Sequence, residues 1–132
     1  MSSFIEQQKK LYRSLKPCYC PALQETVHFN STGLNHILYY RRRPRSQSEK
    51  HYRAGLIQYL VEVISGATQS VKNIKSTDPV VVTWSIQYDV KDRNNLQQKV
   101  KVILIKEGVG NVYFLSVMQR KNMNNKTKKP RQ

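Results

Sequence analysis

The residues with the clearest chemical potential lie between Val27 and Arg45, in the stretch VHFNSTGLNHILYYRRRPR. One histidine, His36, precedes a dense arginine cluster, and two tyrosines lie between them. Histidine transfers protons near neutral pH, arginine binds phosphate through paired hydrogen bonds, and tyrosine stacks on bases. This combination suits both cleavage of RNA and plain RNA binding, so the spacing alone leaves the two interpretations open.

Cleavage of RNA without a metal ion needs few protein groups, because RNA carries its own nucleophile, the 2′-OH. The protein must deprotonate that hydroxyl, neutralise the phosphate and protonate the leaving oxygen. His36 is the candidate proton-transfer group, and Ser116 or a tyrosine hydroxyl is a candidate for positioning the phosphate. Seven further residues are candidates for contact with nucleic acid: Tyr39, Tyr40, Arg43, Arg45, Lys50, Arg53 and Lys101.

Other kinds of site are weaker in this sequence. Two-metal phosphodiester cleavage needs clustered carboxylates, whereas Asp89 and Asp92 flank a lysine near a turn and are better explained as turn-forming residues. Cys18, Cys20 and His28 could supply three zinc ligands, but the second half of a usual zinc motif is missing. The sequence therefore predicts neither a metal site nor a cofactor.

The charge balance predicts a polyanionic partner. The chain has 23 Lys and Arg against 8 Asp and Glu, a net charge of +15. Nucleic acid ranks first, an acidic membrane surface second and an acidic protein third. The basic residues do not follow one amphipathic helix, and no apolar run approaches the ~20 residues of a membrane span. The polar N-terminus does not resemble a signal peptide, so a cytoplasmic location is expected.

The first half of the chain must position these residues on helices. The sequence predicts helices over residues 3–16, 33–40 and 47–65. Capping boxes open the first and the third, formed by Ser3 with Glu6 and by Ser46 with Glu49. The second has three candidate N-caps, Asn30, Ser31 and Thr32. Gly66 is expected to end the third as a C′ residue. The second helix would place His36 and Tyr40 on one side, and the following RRRPR is expected to be a loop.

Past Gly66 the apolar period changes from 3.6 to 2. Strands are predicted over residues 69–75, 81–90, 99–106 and 112–119, after a short extended stretch at 25–30. This order predicts an α+β domain with N-terminal helices packed on one face of a roughly four-stranded antiparallel β-meander. The other face is expected to be open, polar and basic. Residues 1–120 would form the single domain, and 121–132 a basic tail that is disordered until it meets phosphate.

With this layout, the chain resembles the barnase–EndoU–colicin–RelE-like (BECR) superfamily of metal-independent ribonucleases, in particular its phage-type nuclease members. The stretch CPALQETVHFNSTGLNHILYYRRRPR is similar to the N-terminal block of that family. A second stretch, YFLSVM, is similar to its final strand. The resemblance covers roughly Val27 to Gln119 and implies N-terminal helices followed by a four-stranded antiparallel meander.

The resemblance also implies roles for individual residues. His36 corresponds to the helix histidine expected to act as general acid or base, Arg41 and Arg42 to the basic positions after it, and Ser116 to the final-strand hydroxyl. The chain departs from the family in lacking a second histidine in its later strands. The second acid or base would then be Tyr88, Lys101 or an arginine.

These observations favour a small metal-independent endoribonuclease that cleaves structured RNA, such as tRNA, through attack of the 2′-OH. It would act as a toxin or as a phage or mobile-element effector, and an acidic antidote or inhibitor protein would be a second partner. The alternative is a non-catalytic basic module that binds RNA or DNA. A third interpretation is a basic domain of a larger assembly with an acidic protein partner.

Overall fold

The computed structural model describes residues 3–120 of the chain. Within this range the chain forms four α-helices, one 3₁₀ helix and eight strands. The helices are α1 (Phe4–Ser14), α2 (Ser31–Leu38), α3 (Gln47–Gly55), the 3₁₀ helix (Ile57–Tyr59) and α4 (Leu60–Gly66). The strands are β1 (Cys18–Cys20), β2 (Glu25–His28), β3 (Tyr39–Tyr40), β4 (Arg43–Pro44), β5 (Val71–Lys75), β6 (Val81–Lys91), β7 (Gln97–Glu107) and β8 (Val112–Arg120). The predicted basic tail, 121–132, lies outside the described residues.

Helix α1 agrees with its predicted cap. The Ser3 hydroxyl accepts a hydrogen bond from the backbone N–H of Glu6 at 3.1 Å, which satisfies one of the free amides of the first turn. Near its other end, Tyr12 is buried and its hydroxyl donates to the Asn30 carbonyl at 2.6 Å. This bond ties α1 to Asn30, the N-cap residue of α2.

The single helix predicted over residues 47–65 is wrong, because the chain breaks into α3, the 3₁₀ helix and α4. The two halves pack against different elements: α3 contacts α1 and α2, whereas α4 contacts β1, β6 and β7. One straight helix cannot face both sets. Gly66 is also not a left-handed C′ residue. It is the last residue of α4, where a Cβ would overlap the ring of Tyr88.

The fold is α+β, as predicted, but the sheet is larger than four strands. Six strands are hydrogen-bonded in the order β1-β2-β8-β7-β6-β5. The predicted meander corresponds to β5, β6, β7 and β8, each of which pairs antiparallel with the next one along the chain. The sheet is mixed, since β2 pairs in parallel with β8 through Val27–Val112 and His28–Tyr113.

Strand β1 was not predicted. It pairs antiparallel with β2, with Cys18 opposite Val27 and Cys20 opposite Glu25. Three residues are too few to display a period-2 pattern, so the stretch between Pro17 and Pro21 looks irregular in the sequence. Burial of Cys20 places this strand against the core.

The main core lies between the sheet and the helices. Val100, Val102 and Leu104 alternate along β7 and are fully buried, as strand geometry predicts for one covered face. Helix α2 packs on β8, while α4 packs on β6 and β7. Each such aliphatic side chain contributes roughly 1.5 to 3 kcal/mol through burial, so this interface dominates the stability of the domain.

The opposite face of β7 is only partly covered. Lys101, Ile103 and Ile105 alternate with the buried residues and are half-buried. The sequence predicted an open, polar and basic face. This face of β7 carries two isoleucines and one lysine, so it is partly apolar and not uniformly polar.

A β-bulge interrupts the pairing of β7 with β8. Leu104 pairs with Phe114 and Ile103 with Ser116, so Leu115 is the extra residue. The bulge shifts the alternation of β8, which allows both Phe114 and Val117 to be fully buried although they are three residues apart. No sequence period predicts such a shift.

No helix within residues 3–120 combines the length and the apolar character that a membrane-spanning segment needs.

Candidate nucleic-acid interface

Helix α2 carries His36 and is held close against the sheet. The Asn30 side chain accepts a hydrogen bond from the backbone N–H of Thr32 at 3.0 Å and caps the helix, as predicted. Gly33 faces Phe114 of β8 so closely that a Cβ there would overlap the Phe114 ring and the Tyr12 hydroxyl. Any larger residue at Gly33 would push α2, and His36 with it, away from the sheet.

The arginine cluster is presented by a tight hairpin and not by the predicted loop. Strands β3 and β4 pair Tyr40 with Arg43, which leaves Arg41 and Arg42 as a two-residue turn. Both turn residues have positive φ, 51° and 69°, as a type I′ turn requires. Such turns favour Asn-Gly, because a residue with a bulky side chain is destabilised by roughly 1 kcal/mol in this region. Two arginines are thus held at the tip of the hairpin in a strained conformation.

The hairpin also changes the predicted position of Tyr40. The helix ends at Leu38, so Tyr40 lies on β3 and not one turn after His36 on the same helix. The guanidinium groups of Arg41 and Arg45 each lie 5.3 Å from the centre of the Tyr40 ring. These cation–π contacts brace both arginines against the tyrosine.

A groove forms where α2 meets the hairpin. It has a volume of about 620 Å³ and is open to solvent. Its lining residues are Thr32, Asn35, His36, Tyr39, Tyr40, Arg41 and Arg42. The structure therefore brings the predicted histidine, both tyrosines and two predicted arginines to one surface.

His36 is an exposed residue that lines this groove, but its surroundings disfavour the protonated imidazole. Partial burial lowers the pKa of His36, and the positive charges of Arg45 and Arg53 lower it further. The neutral imidazole is consequently the dominant form at neutral pH. A neutral imidazole accepts a proton, which suits a general base better than a general acid.

Behind the groove, an ion-paired network joins α2, α3 and β8. The Nε of Arg45 donates to the His36 carbonyl at 3.0 Å, and its terminal nitrogen lies 3.7 Å from the Glu49 carboxylate. Arg53 pairs with the same carboxylate at 2.7 Å and donates to the Val117 carbonyl at 3.0 Å. The network fixes the helix end that carries His36 relative to the last strand.

Ser116, predicted to position the phosphate, belongs to this network and not to the groove. Its side chain is largely buried, with 9% of the residue exposed, and Arg53 lies 3.5 Å from its hydroxyl oxygen. The side chains of Arg45 and Arg53, both predicted to contact nucleic acid, are also mostly buried, with 11% and 15% exposed. None of these three residues lines the groove.

Other predicted residues lie around the groove or away from it. Arg43 is exposed on β4 and Lys50 is half-buried on α3. Lys101 points away from the helix-covered face of β7, so it does not join His36. Tyr88 lies on β6 against Gly66, two strands away from the β8 strand on which α2 packs.

Two residues that line the groove and one residue of the ion-paired network were not predicted as site residues from the sequence. Thr32 and Asn35 line the groove, and their only signal was their place before and beside His36 on a capped helix. Glu49 was assigned only to a helix cap, which it does make through its backbone N–H and the Ser46 hydroxyl at 3.2 Å. Its second role as the anion between two arginines depends on tertiary contacts.

The other two histidines, His28 and His51, lie outside the groove. His28 is half-buried on β2, opposite Tyr113 in the parallel pair. His51 is exposed on α3, but its ring stacks on Phe4 with the centres 5.4 Å apart and an interplanar angle of 11°. Neither residue lines the groove.

The cysteines and the two aspartates also have local partners. Asp89 was predicted to form a turn, but it lies within strand β6 opposite Lys99. Burial raises the pKa of the Cys20 thiol, so this residue stays protonated. Asp92 accepts backbone hydrogen bonds from Asn94 at 2.9 Å and Leu96 at 3.0 Å, which confirms its role in the turn. The amide of Leu96 in particular lowers the pKa of this carboxyl group. Residues 3–120 contain no group of three or more His, Cys, Asp and Glu that could hold a metal ion.

Comparison of the chain with protein-family models, with curated proteins and with solved structures found no match in any of the three.

Proposed function

We propose that the protein is an endoribonuclease that cleaves RNA through attack of the 2′-OH, without a metal ion. The observation that carries this proposal is the groove itself, which is lined by His36, Arg41 and Arg42 together. A base and phosphate-binding cations within one groove are the parts that such cleavage needs.

In the proposed reaction, neutral His36 takes the proton of a 2′-OH. The resulting oxyanion attacks the adjacent phosphorus, and the bond to the 5′-oxygen of the next nucleotide breaks. Arg41 and Arg42 bind the phosphate oxygens and stabilise the added negative charge of the transition state. The products are a 2′,3′-cyclic phosphate and a free 5′-OH.

The leaving oxygen takes its proton from solvent water in this mechanism. The groove is open to solvent. Neither Tyr88 nor Lys101 lies beside His36, and within the described residues His28 and His51 have other surroundings. The hydroxide left by the water then recovers the proton held by His36, so no net water is consumed.

Membership of the BECR superfamily is part of this proposal. Within residues 3–120 all four α-helices precede the four antiparallel strands β5 to β8, and this order supports it. The net charge of +15 supports structured RNA such as tRNA as the substrate, and an acidic antidote protein as a second partner. A role as a toxin or as a phage or mobile-element effector in the cytoplasm is the corresponding biological proposal.

The test is incubation of purified protein with RNA in EDTA. We expect cleavage products that end in 2′,3′-cyclic phosphate, and a rate about 10² to 10⁴ times lower for His36→Ala. His51→Ala is the matched control, because His51 is also exposed but stacks on Phe4 outside the groove. Intact RNA after incubation with folded wild-type protein, or equal loss of activity in both variants, would contradict the proposal.

One observation favours a second function, a non-catalytic module that binds RNA or DNA. Within residues 3–120, the His36 imidazole has no hydrogen-bond partner that would orient it, whereas many catalytic histidines are held by a neighbouring group. This function predicts that His36→Ala binds RNA almost as wild type does. Removal of Arg41, Arg42 and Arg43 would weaken binding and reduce its salt dependence.

A further inference from the structure

Two chemically different sets of residues line the groove, and only one of them is used by the proposed cleavage. His36, Arg41 and Arg42 would act on a phosphate and a ribose hydroxyl. The other lining residues include Asn35 and Tyr39, which have no role in that chemistry. An amide and an aromatic ring beside a phosphate-binding group are the parts of a nucleobase site.

The two tyrosines of the groove are not equivalent. The ring of Tyr40 already contacts the guanidinium groups of Arg41 and Arg45, each 5.3 Å from its centre. Within the described residues no ring or cation contact involves Tyr39, and 45% of this residue is exposed. Tyr39 is therefore the tyrosine with a ring face available for stacking, while Tyr40 positions arginines.

Asn35 lies one helical turn before Tyr39, whose backbone N–H donates to the Asn35 carbonyl and ends helix α2. The Asn35 side chain is exposed, and its amide has no hydrogen-bond partner among residues 3–120. An asparagine amide offers a donor and an acceptor side by side, which match the adjacent donor and acceptor of adenine.

We propose that this groove binds one unpaired nucleotide, with its base stacked on Tyr39 and its edge hydrogen-bonded by Asn35. The inference rests on the proposed function only in taking RNA as the ligand. The volume of about 620 Å³ lies in the range of small-ligand sites. A paired base has its edge and both faces occupied by its neighbours, so a duplex cannot fill the groove. The substrate is then a loop or single-stranded segment, with adenine bound best.

The test uses ligands in which the base is the only variable. Each ligand is a five-residue 2′-O-methyl ribose–phosphate strand with one base at its centre and four abasic residues, compared with a fully abasic strand. The 2′-O-methyl groups prevent cleavage, so the measured quantity is binding alone. Dissociation constants are obtained by fluorescence anisotropy at fixed ionic strength.

We expect one adenine to tighten binding of the wild-type protein about tenfold relative to the abasic strand. Tyr39→Phe should keep this gain because the ring remains, and Tyr39→Leu should lose it. Tyr40→Leu is the matched control. It should weaken the adenine-containing and abasic strands by the same factor, since it loosens phosphate-binding arginines. Asn35→Ala should reduce the preference for adenine over uracil.

A base-dependent gain that survives in Tyr39→Leu, or that disappears in Tyr40→Leu instead, would overturn the inference, provided that thermal melting shows both variants folded. The outcome is separable from that of the proposed function. Uncut RNA together with Tyr39-dependent base binding would refute cleavage and support the nucleotide site. Cleavage that is unchanged by Tyr39→Leu, with no base-dependent gain, would do the reverse.

Discussion

At the scale of the residue, the role of His36 depends on its positive neighbours. Arg45 and Arg53 are close enough to lower its pKa, in addition to the effect of partial burial. Both arginines are held in place, one by the His36 carbonyl and the other by the Val117 carbonyl. The same network that fixes the position of His36 therefore favours its neutral form, which is the form that a general base requires.

The pH dependence of cleavage tests this assignment. The kcat/KM value should rise with pH and level off once His36 is deprotonated, with a midpoint below the ordinary histidine value of about 6.5. The direction follows because the lowered pKa means that the imidazole loses its proton at a lower pH than a free histidine does. An NMR titration of the His36 ring should give the same midpoint. A rate that falls as pH rises through this range would identify protonated His36 as the active form.

At the scale of the element, the β3–β4 hairpin is strained where it presents charge. Arg41 and Arg42 both adopt the left-handed region that Asn and Gly occupy at far lower cost. Strained backbone of this kind is concentrated at functional sites, where the surrounding structure maintains it. Here the β3–β4 pairing and the contacts of Arg41 and Arg45 with Tyr40 hold the turn.

Replacing Arg41 and Arg42 by the residues that a type I′ turn favours should raise stability and weaken RNA binding. The double variant Arg41→Asn/Arg42→Gly should be more stable by about 1 kcal/mol, and its Tm should rise by roughly 3 to 5 °C. The same variant should bind RNA more weakly, because two phosphate-binding groups are gone. Calorimetry and RNA titration measure the two effects.

The matched control is Arg41→Gln/Arg42→Gln, which removes the same charge but keeps the strained turn. If relief of charge repulsion and not of strain caused the stabilisation, this control would be as stable as the Asn-Gly variant. A gain confined to Asn-Gly identifies the backbone as the cause.

For the molecule as a whole, the acidic side chains are too few to neutralise the basic ones. With 23 basic and 8 acidic side chains, 15 positive charges remain unneutralised however the side chains pair. Glu49, one of the few anions, is already shared by Arg45 and Arg53. Most of the positive charge is consequently available to a polyanion, and the question is whether it acts diffusely or at the groove.

The salt dependence of RNA binding distinguishes these cases. For single-stranded RNA, the slope of log K against log salt falls by about 0.7 for each phosphate that the protein no longer neutralises, so Arg41→Gln/Arg42→Gln should reduce it by about 1.4. Lys72→Gln/Lys75→Gln removes equal charge from exposed positions on β5, at the far edge of the sheet. Strand β5 lies three strands from β8, about 14 Å, beyond the Debye length of about 8 Å. Equal slopes for both variants would indicate diffuse attraction.

The sequence was most informative where structure is decided locally. Caps such as Ser3 and Asn30 satisfy amides within their own turn, and the long period-2 runs of β6 and β7 specify strands without reference to distant residues. The same local information predicted the Asp92 turn. It also identified most of the groove-lining residues, because His36, the two tyrosines and the arginines are adjacent in the chain.

Tertiary structure alone decided how these residues meet. Strand β1, the parallel pairing of β2 with β8 and the bulge at Leu115 all depend on partners far along the chain. The division of the predicted long helix and the strained Arg41–Arg42 turn have the same origin, since packing and pairing outweigh local preference there. For this reason the candidate phosphate-binding residues could be predicted from the sequence. Only the tertiary structure shows that Ser116 contacts Arg53 outside the groove and that Asn35 lines the groove.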